Sequence, residues 1–283
     1  MKKAAEQKET PQYWQQTDKS VKRLKAEFSK LLDQNLTEQN YQLFMEENTR
    51  LVPREFVQNH GIHSSLVLRK LGFGADYKSD FVYLSKSSDD WNCVLIEIER
   101  PGAKFFKTGT NDLHPDFLKA LQQINKWRAW FNSAANKSSF AESTVGLIRV
   151  PLERNPIYPK FVLVHGRRSE YGKNHLRRSI ISAQEKDDFK ILTFDSLLES
   201  LESKNDLYLG VRKNEYIDLR SDAFLSESIF AWMPPDQIRV GTKFRANALK
   251  MRAQWCHFKP CGGKVMDVAL AQVRRRPKKK KAS

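Results

Sequence analysis

Cysteine is scarce: the 283-residue chain holds three, Cys93, Cys256 and Cys261. So few thiols exclude a disulfide framework and fit a reducing, cytoplasmic setting. Cys256-His257-x-x-x-Cys261 supplies three zinc-type donors but no second pair, so a closed tetrahedral zinc site is not expected. Long apolar runs are missing too, and none approaches the ~20 residues that a membrane span requires. The N-terminus is polar and charged, unlike a secretory signal. No glycine-rich phosphate loop occurs, which leaves a nucleotide-sensing or scaffold role without support. Acidic residues are outnumbered, 33 Asp and Glu against 49 Lys and Arg, for a net charge of +16. Taking away the seven positive charges between Arg274 and Lys281 still leaves +9. A body that is basic without its tail suits a polyanionic partner.

Against that background the few clustered carboxylates stand out. Residues 79–101 read as two strands, about 78–85 and 92–99, joined by the polar turn Ser85–Asp90. Asp80 lies near the start of the first strand; Glu97 and Glu99 end the second. Alternation places Glu97 and Glu99 on one strand face, and a hairpin of this length can bring Asp80 beside them. Three converging like charges need a cation, and oxygen donors favour Mg²⁺ or Mn²⁺. A solvated strand face carrying the same residues is the alternative that the hairpin alone leaves open.

Helical spacing predicts a leader helix over 17–33, from Val21, Leu24, Phe28, Leu31 and Leu32. A second helix starts at Thr37, with Glu38 in its first turn and an apolar stripe of Tyr41, Phe44, Met45 and Leu51. On a helical wheel Glu47 flanks that stripe and can look into a cleft, while Glu46 points away. A third helix over 115–132 shows Phe117, Ala120, Leu121, Ile124, Trp127 and Phe131, with Gln123 on the stripe's edge. Arg128 falls within the stripe, where a guanidinium needs a phosphate or a carboxylate. Strands are expected at Val145–Val150, Lys160–His165 and Phe189–Phe194, and helices at 170–185 and 195–201. This alternation predicts an α/β fold with a mixed central sheet flanked by helices. The domain reading is a helical leader (1–35), a core domain (36–205) and a basic C-terminal extension without clear periodicity (206–283).

In their order along the chain, Asp80, Glu97-Ile98-Glu99 and Gln123-x-x-x-Trp127 resemble the PD-(D/E)xK nuclease superfamily. More narrowly, five segments resemble the Shedu family of prokaryotic anti-phage nucleases. These are Phe44-Met45-Glu46-Glu47-Asn48, Ile96-Glu97-Ile98-Glu99-Arg100-Pro101, Ala120-Leu121-Gln122-Gln123-Ile124-Asn125-Lys126-Trp127, Phe161-Val162-Leu163-Val164-His165-Gly166-Arg167 and Ile191-Leu192-Thr193-Phe194-Asp195-Ser196-Leu197-Leu198. Two departures stand out. Ser79 replaces the proline usual before the first carboxylate, and Glu99 replaces the lysine of E-x-K.

The resemblance implies a restriction-endonuclease-like core that hydrolyses DNA phosphodiesters with Mg²⁺ or Mn²⁺ in anti-phage defence. Asp80 and Glu97 would hold the metal, and Glu99 would orient or deprotonate the attacking water. Gln123 would position that water or a phosphate oxygen, Trp127 would buttress its helix, and Glu47 would be an outer carboxylate. The ammonium lost with the lysine would have to come from elsewhere, with Arg128 or Lys104 as candidates. Arg167, Arg168 and Lys107 are candidate phosphate contacts, the alternative being a solvated basic rim. The implied partners are double-stranded DNA, its ends included, and further copies of the chain in a homo-oligomer such as a tetramer. A DNA-gripping module that has lost catalysis is the competing function, kept open by Glu99.

Overall fold

The computed structural model describes residues 13–34, 36–150, 152–220, 237–242, 246 and 272–273. The Cys256–Cys261 segment and the basic run after Val273 lie outside the described residues. Among the described residues nine strands form one sheet: β1 (Leu66–Phe73), β2 (Tyr77–Lys86), β3 (Trp91–Ile98), β4 (Ile157–Val164), β5 (Phe189–Leu192), β6 (Tyr208–Arg212), β7 (Ile217–Leu219), β8 (Ile238–Val240) and β9 (Gln272–Val273). Their order is β5-β4-β3-β2-β1-β6-β7-β8-β9. β1, β2 and β3 form an antiparallel meander, while β3, β4 and β5 run parallel, as do β1 and β6. The sheet is therefore mixed and the fold is α/β. It also continues past residue 205, through β6 and β7.

Both faces of the meander are covered. One layer contains α3 (Pro115–Asn132), whose Phe117, Ala120, Ile124 and Trp127 pack with Val82, Leu84, Cys93 and Leu95. The other contains α1 (Tyr13–Leu32) and α2 (Glu38–Glu47), whose Phe28, Tyr41 and Met45 pack with Phe81, Val94, Ile96 and Ile98. A strand covered on both faces needs no polar alternation, so Cys93–Ile96 reads as an unbroken apolar run that is buried throughout. Each such side chain contributes about 1.5–3 kcal/mol of burial. α3 starts sharply because Pro115 takes its first turn and His114 Nδ1 accepts the Asp116 N–H at 3.2 Å.

Several elements differ from the expectation. Val145–Val150 is not a strand: a 3-10 turn spans Gly146–Ile148, and buried Arg149 donates to the carbonyls of Ala141, Glu153 and Asn155 at 3.2, 2.7 and 2.6 Å. Val145 and Ile148 reach the core at a one-turn spacing that a short apolar run shares with a strand. The helix expected over 170–185 is shorter, α5 (His175–Ser182), capped by Asn174 after the turn at Gly172. Strand β1 was not expected at all. Its apolar residues on the α3 side are Leu66 and Leu68, then Leu71 and Phe73, so the period of two breaks between them. The break falls at Lys70, which has φ 46°.

Candidate functional site

The site lies where β2 and β3 part. Their ladder runs from Lys86 opposite Trp91 to Phe81 opposite Ile96. Beyond it, side chains take over from backbone pairing. Ser79 Oγ donates to the Ile96 carbonyl at 2.9 Å and accepts the Ile96 N–H at 3.1 Å. Asp80 Oδ2 accepts the Ile98 N–H at 2.8 Å. The far edge of β3 stays paired, since Glu99 N–H donates to the Val164 carbonyl at 2.9 Å. β4 thus holds β3 in place while Ser79 and Asp80 satisfy the backbone groups that β2 leaves. This gives the departure from proline at position 79 a physical role.

Register aligns the functional groups. Arg69 opposes Phe81 and Leu71 opposes Ser79, so Lys70 stands opposite Asp80. The pairing of Phe81 with Ile96 puts Asp80 level with Glu97 one strand further on. Lys70 Nζ donates to Asp80 Oδ1, and Gln123 Nε2, from α3, donates to Glu97 Oε1. Asp80 is buried. Glu97 Oε2 is buried as well and has no hydrogen-bond partner.

The electrostatics are those of crowded acids. Burial pushes the Glu97 carboxyl well above the usual range, and the charges of Asp80, Glu38 and Glu99 push it further. Glu99 is raised to about 7, chiefly by burial and then by Glu38, with Lys119 opposing. Glu38 is raised by burial and by Asp80, against the pull of Lys70 and Lys119. Glu46 is raised by burial, with Arg69 Nε 2.9 Å from its Oε1 and Lys70 also opposing the shift.

Of the expected site residues, Asp80, Glu97, Glu99 and Gln123 come together. Trp127 is buried behind Gln123, edge-on to Phe73 at 5.4 Å between centroids. Glu47 does not join them: it is exposed. α2 ends at Glu47, and Leu51 belongs to a separate 3-10 turn, Thr49–Leu51. Leu51 therefore gives no guide to the helix face. At about 100° per residue, Glu38, Gln42 and Glu46 share one side of α2, and Glu47 faces away from Glu38. Glu38 and Glu46 are the carboxylates that α2 turns toward Asp80, and their spacing of eight with buried Gln42 between them was the available signal.

The expected cationic residues are spread more widely. Arg128 forms a two-pronged ion pair with Asp188, both contacts at 2.9 Å, so its stripe position serves a carboxylate. Arg167 donates to Asp195 at 2.9 Å and to the Leu32 carbonyl at 3.1 Å; Arg168 pairs with Glu199 at 2.6 Å. Asp195 thus ties down this arginine pair rather than capping a helix, and Thr193 caps the 3-10 turn Phe194–Leu198. Lys104 and Lys107 are exposed on the loop after β3. That loop is anchored by His165, whose Nε2 lies 3.2 Å from the Lys104 carbonyl, and by Gly166 at φ 54°. A Cβ on Gly166 would stand 2.7 Å from the Ala103 carbonyl, so glycine is required there. Lys70, absent from the sequence-based expectations, is the cation that reaches Asp80.

The donor set suits a hard divalent ion. All its members are oxygens, Glu97 Oε2 is orphaned, and the clustered negative charge is only partly offset by Lys70. Among the described residues, no three His, Cys, Asp or Glu side chains are arranged to hold an ion as they stand. No described helix is long and apolar enough to cross a membrane.

Among curated proteins no match to the sequence is found. A family model described as Shedu protein SduA, C-terminal, matches residues 35–198, more than half of the chain. The matched range contains every carboxylate of the site together with Lys70 and Gln123, and on that match the chain belongs to the Shedu family.

Proposed function

We propose that the chain is a metal-dependent endonuclease that hydrolyses DNA phosphodiesters, the activity through which this Shedu protein would serve anti-phage defence. The observation that carries the reading is the level placement of Asp80 and Glu97 on adjacent strands, with an orphaned oxygen on Glu97. Asp80 and Glu97 would hold Mg²⁺ or Mn²⁺. Such an ion, when bound, supplies charge that polarises the phosphate and acidifies a water.

The chain's own groups do the rest. Glu99, raised to about 7, is ionised in part near neutral pH and can take a proton from attacking water. Gln123 fixes the Glu97 carboxylate through its amide donor. Lys70 supplies the ammonium that the strand lost to Glu99. It comes from β1 instead, and against the phosphate its charge would stabilise the pentacovalent state. Double-stranded DNA is the proposed substrate and a homo-oligomer the proposed working form.

Glu99 favours a second reading, a module that grips DNA without cutting it. Plasmid cleavage with Mg²⁺ or Mn²⁺ decides between them, run beside Asp80→Ala, Glu97→Ala and a chelator. Metal-dependent cutting that both variants abolish supports the nuclease. Tight DNA binding with no cutting in either metal supports the grip.

A further inference from the structure

On the far side of Lys70 from Asp80 the sheet carries a second polar feature. β1 and β6 pair Leu66, Val67 and Leu68 with Tyr208, Leu209 and Gly210. Continued two residues past this pairing, the register brings Arg212 level with Lys70, and the two line one pocket. The row across four strands therefore reads Arg212, Lys70, Asp80, Glu97, two cations followed by two carboxylates.

An open pocket of about 380 Å³ lies at the cationic end, lined among others by Lys70, Ser143, Thr144, Arg212, Lys213 and Asn214. Among the described residues no carboxylate lines it. Arg212 donates to the carbonyls of Thr144 and Ser143 at 3.0 Å each. Among the described residues no carboxylate is paired with Arg212 or Lys213, and Arg212 is partnered by carbonyls. Lys213 is exposed at the tip between β6 and β7, with Asn214 beside it. Guanidinium, ammonium, hydroxyl and amide donors around an acid-free pocket match a phosphate oxyanion.

We infer that this pocket is a phosphate subsite, which seats the DNA backbone a few nucleotides from the carboxylate cluster. The inference rests on the reading of DNA as substrate. β6 lies two strands from β2, roughly 10 Å at ordinary strand spacing. A duplex strand advances about 3.4 Å per nucleotide, so one strand can touch the pocket and the carboxylates together. The row then has a division of labour: Arg212 and Lys213 hold the backbone, Lys70 stands at the junction, and the acids face the bond to be cut.

The test is duplex binding by the full chain in a chelator, where no cutting confuses the reading. Affinity for a labelled oligonucleotide duplex is followed by anisotropy from low to high salt for the wild type, Lys213→Gln, Lys213→Glu and Arg212→Lys. Lys30→Gln, on α1 in the opposite layer, is the control. Lys213→Gln is expected to flatten the slope of log affinity against log salt by about one unit. Lys213→Glu should weaken low-salt binding further, and Lys30→Gln should do neither. Arg212→Lys keeps the charge and should keep the slope. A wild-type slope in both Lys213 variants overturns the subsite and leaves the Asp80 and Glu97 cleavage test untouched. Binding of inorganic phosphate through Lys213 without any duplex binding overturns it too, as a small-anion site. A wild type that binds no duplex removes the DNA reading and the subsite with it.

Discussion

Lys70 donates to Asp80 from a strand residue held in the left-handed region, at φ 46°. The two facts belong together. On either side of Lys70 the β1–β2 register is unbroken, yet the apolar phase of β1 reverses across it. The backbone turn is what lets Lys70 meet Asp80 without disturbing the core residues Leu68 and Leu71. A non-glycine residue in that region costs about 1–3 kcal/mol, and such strain clusters at functional sites.

Substitution at Lys70 should therefore separate stability from activity. Lys70→Gly removes the strain and the ion pair together, so the thermal midpoint should stay close to wild type or rise. Cleavage should fall by about 10²–10³-fold, the loss typical of a deleted transition-state donor. Lys70→Arg should retain more activity than Lys70→Gly. Thermal unfolding beside a plasmid cleavage assay reads both; full activity in Lys70→Gly would remove Lys70 from the mechanism.

Much of the frame is legible in the sequence because it obeys simple periods. α3 shows its stripe, β3 its apolar run, and Asp80, Glu97, Glu99 and Gln123 fall on the elements that bring them together. The losses have local causes. β1 hides because Lys70 breaks its period, and with β1 goes the cation that answers Asp80. α2 misleads because Leu51, in a separate turn, mimics one more step of its stripe and selects Glu47 over Glu38 and Glu46. Arg128, anomalous in an apolar stripe, finds Asp188, a partner 60 residues on that no local pattern announces.

The α2 assignment has its own test in metal affinity. Glu38→Gln should weaken Mg²⁺ or Mn²⁺ binding by about tenfold, the lower end of what outer-shell partners contribute. Glu46→Gln should act in the same direction. Glu47→Gln, exposed and facing away, should leave affinity and cleavage unchanged. Isothermal titration calorimetry on the three variants distinguishes them, and a Glu47 effect larger than that of Glu38 would reverse the assignment.

Ser79 should carry a stability effect larger than its size suggests. It is fully buried and serves both the N–H and the carbonyl of Ile96. Ser79→Ala leaves those groups buried without partners where β2 departs from β3, a cost of about 1–3 kcal/mol. The urea midpoint should fall accordingly. Cleavage should also drop, because the same contacts set the approach of Asp80 to Glu97. An unchanged midpoint would mean that the strands close up and pair on their own.

The crowded acids make stability depend on pH in a defined sense. Glu38, Glu97 and Glu99 are all raised in the folded chain, so the native state holds protons that the unfolded state has released. Stability without metal should then be fully present below the ordinary carboxylate range. It should fall as pH rises through the window from about 4.5 to about 7 that Glu99 spans, and level off above the raised values. Glu99→Gln should raise the thermal midpoint at pH 8 and flatten the decline, since it removes one of the charges being forced together. Mg²⁺ added at pH 8 should do the same to the wild type by neutralising the cluster, and should do little after Asp80→Asn combined with Glu97→Gln. Differential scanning calorimetry from pH 5 to 8, with and without the ion, reads all four arms. A midpoint that climbs with pH in the metal-free wild type would show that the carboxylates are not in conflict. The case for a cation at Asp80 and Glu97 would then lose its electrostatic basis.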